Sequence, residues 1–457
     1  MFSYYQSGSA AAPRTTPIPW PVRLLLLYLA AITIIGKGPT YLGYPPLFWG
    51  EMVLAVLMFW SLSAPADGEL GIPEPRPLSV AVLLYVLLGV VLTAISYPRW
   101  GLDAIRDAAI WYYAAFYFFG VRLARQEALA DRVWKILQVF WILAMLWGLA
   151  DHVTDHRLSE LGPVLPWRGI SVLSNSNSEL LQNMALGALL VLCTDFLDGF
   201  PLLRLMLCSA AVPALVFFLL SRSRGQKVGL LVGILSVLLL RLSHGQPLRF
   251  GSRILRSMLA AAVLVGVAAL VLQTDIRQLT NFDRFAEDEG TATWRVVWWK
   301  QLAQEVFFTN PAFGLGFGRE WQLYNPEIVL NRFDPWPVRA PHNFNVTVFS
   351  RMGIVGSMLW AAILVTGAGG LFARIWRGGF GLWRYPPQRR EELAFWLLMI
   401  LATWGNGSFG VLMEGPVLGV WFWFALGFAS RRSLPPPAAP APLPGVPYAI
   451  PLRTYGR

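Results

Sequence analysis

The sequence predicts an all-α polytopic membrane protein, with about twelve transmembrane helices and one large extracytoplasmic loop that contains an amphipathic helix. Of its 457 residues, 56% are hydrophobic and only 14% are charged, and the mean hydropathy is +0.51. Apolar runs of about 20 residues recur, each long enough to cross ~30 Å of hydrocarbon. The runs are continuously apolar rather than alternating, which favours helices over the strands of a barrel.

The apolar runs define the predicted organisation of the chain. The spans lie near 20–36, 46–64, 78–96, 104–121, 134–150, 179–196, 202–220, 227–241, 256–272, 344–372, 393–410 and 415–430. The chain thus divides into an N-terminal tail (1–19), a bundle of nine spans (20–272), a large loop (273–343), three further spans (344–430) and a Pro/Ala-rich tail (431–457). We expect the last tail to be disordered.

Basic segments set the predicted orientation. Three of them join the fourth to the fifth span, the eighth to the ninth and the tenth to the eleventh, on the same side as both tails. That side is expected to be cytoplasmic, because cytoplasmic loops collect Lys and Arg. The same rule explains most of the net charge of +11, so we do not interpret it as a nucleic-acid surface. The large loop is then extracytoplasmic.

One short outer segment breaks the charge rule. "SRSRGQK" places Arg222, Arg224 and Lys227 between the seventh and eighth spans, where the topology predicts the outer side. A solvated turn is one interpretation. The other is an anion site, because Arg binds phosphate oxygens in bidentate fashion. In that case Gly225 would let the backbone approach a ligand closely.

The large loop is predicted to hold an amphipathic helix at "TATWRVVWWKQLAQEVFF", 291–308. Arg295 shares the apolar stripe of Trp299, Leu302 and Val306. Two interpretations stay open: Arg295 reaches lipid headgroups, or it points inward at a phosphate. The following "NPAFGLGFGREW" lacks the GK[ST] ending of a nucleotide loop, and we expect a tight turn packed on the bundle.

A histidine stands where the tenth span begins. In "RAPHNFNVTVFSRMGIVG", Pro341 marks the helix boundary and His342 follows it, with Arg339 as a nearby cation. His342 is either a tolerated interfacial residue or a base held at the membrane surface. Glu414, in the short turn "MEGP", is a further candidate because no simple local partner explains it.

Other ionisable groups have simpler explanations. Asp107 is expected to belong to a local ion-pair set with Asp103 and Arg106. The spacing in "DHVTDH" (151–156) resembles a metal motif, but nothing nearby supplies a third or fourth ligand, so we predict no metal site.

Taken in order along the chain, several segments resemble the O-antigen ligase/polymerase superfamily of bacterial envelope glycosyltransferases. They are "SNSNSELLQNMALG", "SRSRG", "TWRVVWW", "NPAFGLGFG" and "HNFNVTVFSRMGIVG", and the resemblance covers roughly Ser174 to Phe428. It implies a metal-independent, cofactor-free C-type glycosyltransferase of the bacterial inner membrane. Its donor would be a polyprenyl-pyrophosphate-linked glycan, and its site would face the periplasm.

The resemblance also implies roles for individual residues. Arg224 and Arg295 would bind the pyrophosphate, and His342 would be the catalytic base. Arg222 is an alternative to Arg224, and Arg339 would add a cation. Apart from the resemblance, Asn343, Glu414 and Lys227 are our candidates for residues that contact the acceptor or shape the site. A ligase would transfer the glycan to the lipid A core with inversion, which is the function we expect.

Two alternatives remain at this stage. A polymerase of the same superfamily would transfer the glycan to another lipid-linked repeat and shares these features. A transporter of small anions would line a path with arginines, and it predicts charges at mid-bilayer and on both faces.

Overall fold

A computed structural model describes residues 17–44, 47–63, 77–166, 169–173, 177–194, 199–221, 224–243, 293–321, 340–380, 387–410 and 412–434. These residues are mostly helical and pack around one large apolar core. The strands within them form two short antiparallel pairs, Gly43–Tyr44 with Leu47–Phe48 and Val164–Leu165 with Ile170–Ser171.

The helices are numbered in chain order. They are α1 (Trp20–Ile34), α2 (Trp49–Ser63), α3 (Pro77–Trp100), α4 (Leu102–Asp107), α5 (Ala109–Tyr112), α6 (Ala115–Leu123), α7 (Glu127–Val153), α8 (Arg157–Glu160), α9 (Asn177–Cys193), α10 (Pro201–Leu220), α11 (Arg224–Ser243), α12 (Thr293–Thr309), α13 (Phe344–Leu364), α14 (Gly370–Phe380), α15 (Pro387–Gly407) and α16 (Leu418–Arg432). Gly38–Tyr41 and Leu412–Glu414 are 3₁₀ turns, and a π turn at Val365–Gly369 joins α13 to α14.

The prediction of a helical membrane protein is confirmed. Among the described residues, four helical stretches are long and apolar enough to cross a bilayer: Pro77–Trp100, Glu127–Val153, Pro201–Leu219 and Phe344–Arg377. Shorter apolar helices occupy Trp20–Ile34, Trp49–Trp60, Glu179–Leu192 and Gly225–Leu238. The total of twelve spans stays a prediction, and the span near 256–272 lies outside the described residues, as do 1–16 and 435–457.

The predicted fourth span, 104–121, is divided into α4, α5 and α6. Its backbone makes i→i+3 hydrogen bonds at the two divisions, from Trp111 N to Ala108 O (2.9 Å) and from Ala114 N to Trp111 O (3.0 Å). Such bonds tighten a helix into 3₁₀ turns. The divided segment carries Asp107 and Tyr113 at the end of the bundle where α13 begins.

Small residues and buried amides hold the helices together. A Cβ on Gly229 of α11 would lie 2.4 Å from the Ala402 carbonyl oxygen of α15, so these helices pack backbone to backbone. Gln182 of α9 donates to Thr403 Oγ1 (2.8 Å) and accepts from Asn406 Nδ2 (2.7 Å), both on α15. Interhelical hydrogen bonds of these side-chain amides add directional contacts to an otherwise apolar interior.

Helix α13 is broken at Gly353, whose backbone adopts φ 65° and ψ −159°. A break leaves carbonyl and N–H groups without their intrahelical partners. The carbonyl groups of Ser350 and Arg351 instead accept hydrogen bonds from Leu315 N (2.8 Å) and Gly316 N (3.2 Å). These donors belong to residues 310–321, which we call the glycine loop.

The other half of the break is filled by the same loop. Ile354 N donates to Pro311 O (2.8 Å), and Val355 N donates to Ala312 O (3.1 Å). A Cβ on Gly353 would lie 2.5 Å from the Ala312 backbone, so only glycine allows this approach. The tight packing predicted for this segment is confirmed, and its partner is the interior of a helix.

We expect Gly353→Ala to lower the Tm of the detergent-solubilised protein by more than Gly101→Ala does. Both residues have positive φ (65° and 54°), so each substitution should cost about 1–3 kcal/mol of backbone strain. A Cβ at position 101 meets nothing within 4 Å, whereas one at position 353 meets the Ala312 backbone. Equal losses of Tm in the two variants would show that the loop does not fill the break.

Candidate active site at the start of helix α13

His342 lies two residues before α13, in a strained backbone conformation. Its φ is 55°, in the left-handed region that residues other than glycine rarely adopt. Asn343 follows as the helix cap, with its Oδ1 accepting from Asn345 N (2.9 Å) and Val346 N (3.2 Å). Strain that the surrounding structure maintains is typical of functional positions, so the geometry marks His342 as a candidate.

Helix α12 lies alongside this turn. Trp299 Nε1 donates to the carbonyl of Pro341 at 2.6 Å, which fixes α12 to the residue before His342. Trp298 and Leu302 are buried with Trp321 of the glycine loop in a small second core. The predicted amphipathic helix is therefore present, but its most buried tryptophan is Trp298 rather than Trp299, because α12 packs on α13 and the loop together.

Arg295 faces the bundle from the first turns of α12. Its Nη1 donates to the carbonyl of Phe409 at 3.2 Å, just beyond the end of α15. Its charge also reaches His342. Of the two interpretations left open by the sequence, the inward one fits these contacts.

The His342 imidazole is neutral at physiological pH. Burial, and secondarily the positive charge of Arg295, lower the pKa of His342 to about 4. Both effects act in the same direction, because each disfavours the imidazolium form. A neutral imidazole beside a fixed guanidinium can accept a proton while the guanidinium binds an anion.

Asn345 ties the start of α13 to α15. Its Nδ2 donates to Ser408 Oγ (2.9 Å), and its Oδ1 accepts from Trp360 Nε1 (2.9 Å) and Trp404 Nε1 (3.4 Å). The two asparagines of "HNFN", Asn343 and Asn345, thus have different structural roles. Asn343 caps the helix, and Asn345 positions it against its neighbour.

Glu414 lies behind this turn, between α15 and α16. Its Oε1 is 2.6 Å from Thr347 Oγ1, and Thr347 Oγ1 is also 3.1 Å from the carbonyl of Asn343. Burial raises the pKa of Glu414 to about 7, against the opposing effects of the Thr347 hydrogen bond and the Arg351 charge. The Thr347 hydroxyl thus links Glu414 to Asn343, the residue that follows His342.

Arg351 is the buried cation beneath the site. Its Nη2 lies 2.7 Å from Asp107 Oδ2, and its Nη1 donates to the carbonyls of Arg319 (2.9 Å) and Gly316 (3.2 Å). Its guanidinium also stacks on the Trp321 ring, 4.0 Å from the ring centroid. Arg351 therefore joins the second half of the glycine loop to α13.

The expectation of a local ion pair was wrong for Asp107. Besides Arg351, its Oδ2 accepts from the backbone N–H of Gly318 at 2.9 Å. The division of the predicted fourth span turns this carboxylate towards the glycine loop, where a buried guanidinium neutralises it. No local pattern indicates this pair, because Asp107 and Arg351 are distant along the chain.

The start of α11 approaches the same place. A Cβ on Gly225 would lie 2.5 Å from Phe409 Cβ, so α11 packs against the residue whose carbonyl binds Arg295. Gly225 thus allows this close packing, and the approach of a ligand to its backbone stays a prediction. Arg224 is the first residue of α11 and Lys227 is half-buried three residues later. The Arg224 side chain, like Arg222 and Arg339, lies outside the described part of the chain.

Two further carboxylates, Glu51 and Asp151, have partners elsewhere. Glu51 accepts hydrogen bonds from the hydroxyls of Tyr112 (3.0 Å) and Tyr113 (3.2 Å). Asp151 lies 2.9 Å from His156 Nδ1 and accepts from Ser159, which closes the turn after α7. Within the ranges that the structure describes, no group of three or more His, Cys, Asp or Glu side chains could hold a metal ion.

The fold and the site define a class: a helical membrane protein with a basic, histidine-containing polar site at one end of its bundle. A family model for O-antigen ligase matches residues 209–361, which include Arg224, Arg295, the glycine loop and His342. This match confirms the resemblance and supports membership of the O-antigen ligase superfamily. The family implies a glycosyltransferase-like enzyme with lipid-linked glycan substrates. No curated protein matches the chain.

We expect Glu414→Gln to remove a pH-dependent loss of stability. The folded pKa of about 7 exceeds the ordinary value of 4.5, so the wild-type protein should lose stability as pH rises from 4.5 to 7. Glutamine mimics the protonated carboxyl and should flatten this part of the curve. Tm measured across this range tests the effect, with exposed Glu320→Gln as the control for loss of one charge. A Glu414→Gln curve that falls as steeply as the wild-type curve would contradict the assignment.

Proposed function

We propose that the chain is an O-antigen ligase-like glycosyltransferase. It moves a glycan from a polyprenyl-pyrophosphate donor to an acceptor sugar, on the extracytoplasmic face of the bacterial inner membrane. The observation that carries the proposal is the hydrogen bond from Trp299 to the Pro341 carbonyl, which brings Arg295 of α12 and His342 to one place inside the segment that the family model matches. The proposal includes no metal or cofactor.

His342 acts as the general base in this proposal. The acceptor hydroxyl oxygen attacks the anomeric carbon of the donor glycan while its proton passes to the imidazole. The bond between the anomeric carbon and the pyrophosphate oxygen breaks, and the lipid pyrophosphate leaves with the bonding electrons. Direct displacement inverts the anomeric configuration. The low pKa of His342 keeps the base unprotonated, although it also limits its proton affinity.

Arg295 stabilises the leaving group in this proposal. Negative charge develops on the pyrophosphate as the glycosidic bond breaks, and a fixed guanidinium can neutralise it without reorganising. The Phe409 carbonyl and the packing of α12 hold Arg295 in place. Arg224 is assigned to the same anion, with Arg222 as its alternative and Arg339 as an added cation.

Asn343, Glu414 and Lys227 complete the proposed site. Asn343 and Glu414 are supported as shaping residues, because both contact Thr347 directly behind His342. Lys227, on α11, is assigned to the acceptor side. A polymerase that uses a second lipid-linked repeat as acceptor is the alternative, since the match over residues 209–361 does not separate the two reactions. Parallel assays with lipid A core and with a lipid-linked repeat distinguish the two.

We expect His342→Ala to lower the transfer rate by about 10²–10⁴-fold, the usual contribution of a general base.

We expect Arg295→Ala to lower the transfer rate on the order of 10²-fold. Arg295→Lys should recover only part of the rate, because the bidentate hydrogen bonding of the guanidinium is lost. Transfer from purified lipid-linked glycan measures both. His152→Ala is the matched control, since His152 packs on Phe217 instead. Full activity in His342→Ala would remove the base assignment.

The pH profile gives a separate test. Protonation of His342 abolishes the base, so kcat/KM should fall on acidification with a limb near pH 4 rather than near 6.5. Activity regained on return to neutral pH distinguishes this titration from unfolding. If the activity instead falls near pH 6.5, and this fall is absent in His342→Gln, then His342 is still the base. Such a result would contradict the lowered pKa that burial and Arg295 give it.

A further inference from the structure

Three phenylalanines at the end of α12 and in the glycine loop are exposed. The exposed fractions are 82% for Phe308, 64% for Phe307 and 44% for Phe313, and we call these three residues the phenylalanine patch. Soluble surfaces rarely expose aromatic side chains in such a group. Earlier on the same helix, the exposed residues are Val296, Val297, Lys300 and Gln304. Helix α12 therefore carries a mixed outer surface in its first half, with Lys300 and Gln304 at its centre, and ends in an exposed aromatic group.

Helix α13 locates the patch relative to the bilayer. The hydrogen bond from Ile354 N to Pro311 O places the patch at the level of Ile354, which is the first exposed residue of α13. Ile354 is 45% exposed, and Met358, one turn further, is 67% exposed. From Ile354 to Arg377 the helix runs about 24 residues, or ~36 Å, close to the ~30 Å hydrocarbon core plus a headgroup margin.

The length of helix α3 independently indicates the same position for the edge of the hydrocarbon core. The glycine loop meets α3 at Ser96, whose Oγ accepts from Phe317 N at 3.0 Å. From Pro77 to Ser96, α3 spans about 20 residues, or ~30 Å, and its exposed side chains there are mainly apolar. Tyr97, Arg99 and Trp100 follow, which are residue types of the membrane–water interface. Both helices thus place the glycine loop at one hydrocarbon boundary.

We propose that the phenylalanine patch inserts among the acyl chains of the adjacent leaflet, just below the headgroups. Helix α12 then descends from the candidate site to the membrane instead of standing in water. The occupant is bilayer lipid, because the patch lies level with exposed apolar residues of α13 and with the end of the apolar part of α3. The inference concerns α12 itself and is independent of the proposed function.

Spin-label accessibility in liposomes tests this depth. Single cysteines replace Phe308, Phe313, Lys300 or Met358 in a Cys193→Ser/Cys208→Ser background, and each is labelled after reconstitution into phosphatidylethanolamine–phosphatidylglycerol vesicles. We expect labels at 308 and 313 to respond to oxygen and to resist a water-soluble nickel chelate, as the label at 358 should. The label at 300 should respond to the nickel chelate.

Two results would overturn the proposal. Labels at 308 and 313 that respond to nickel as the label at 300 does would place the patch in water. Labels shielded from both reagents, with spin–spin broadening, would show that a second copy of the chain covers the patch. Size-exclusion profiles matching the parent protein confirm that each variant is folded, so each accessibility pattern decides the question.

Discussion

The rest of the structure depends on the break in α13 at Gly353 and on the glycine loop that fills it. Unsatisfied backbone groups cost several kcal/mol each in an apolar environment, so a break here requires partners. The loop supplies them as two donors and two acceptors. Because the loop follows directly from α12, the same bonds attach α12 to α13.

That attachment brings the candidate site together. Arg295 enters on α12 and His342 on the turn before α13, and Trp299 joins the two segments through the Pro341 carbonyl. Below them, Arg351 binds the loop and neutralises Asp107. The buried surroundings keep His342 neutral and raise the pKa of Glu414. The polar chemistry thus lies at a joint between two structural units and not within one helix.

The sequence predicted the features that depend on local pattern. Pro341 marked the start of α13, the amphipathic pattern located α12, and the glycines of 310–321 indicated close packing. The break at Gly353 was not predicted, because "MGIVG" reads as continuous apolar helix and its cause is the loop that enters it. Likewise, Asp107 and Arg351 meet only in the folded chain, so a local rule chose the wrong partner for Asp107.

The most direct test of the central claim is an NMR titration of His342 in the wild-type protein and in Arg295→Gln. The chain has only four histidines, so ring-labelled imidazole signals can be assigned by substitution. With His342 and Arg295 in one buried site, the wild-type pKa should be about 4 and should rise when the Arg295 charge is removed. A pKa near ~6.5 in both proteins would place His342 in solvent, apart from Arg295, and would contradict the account.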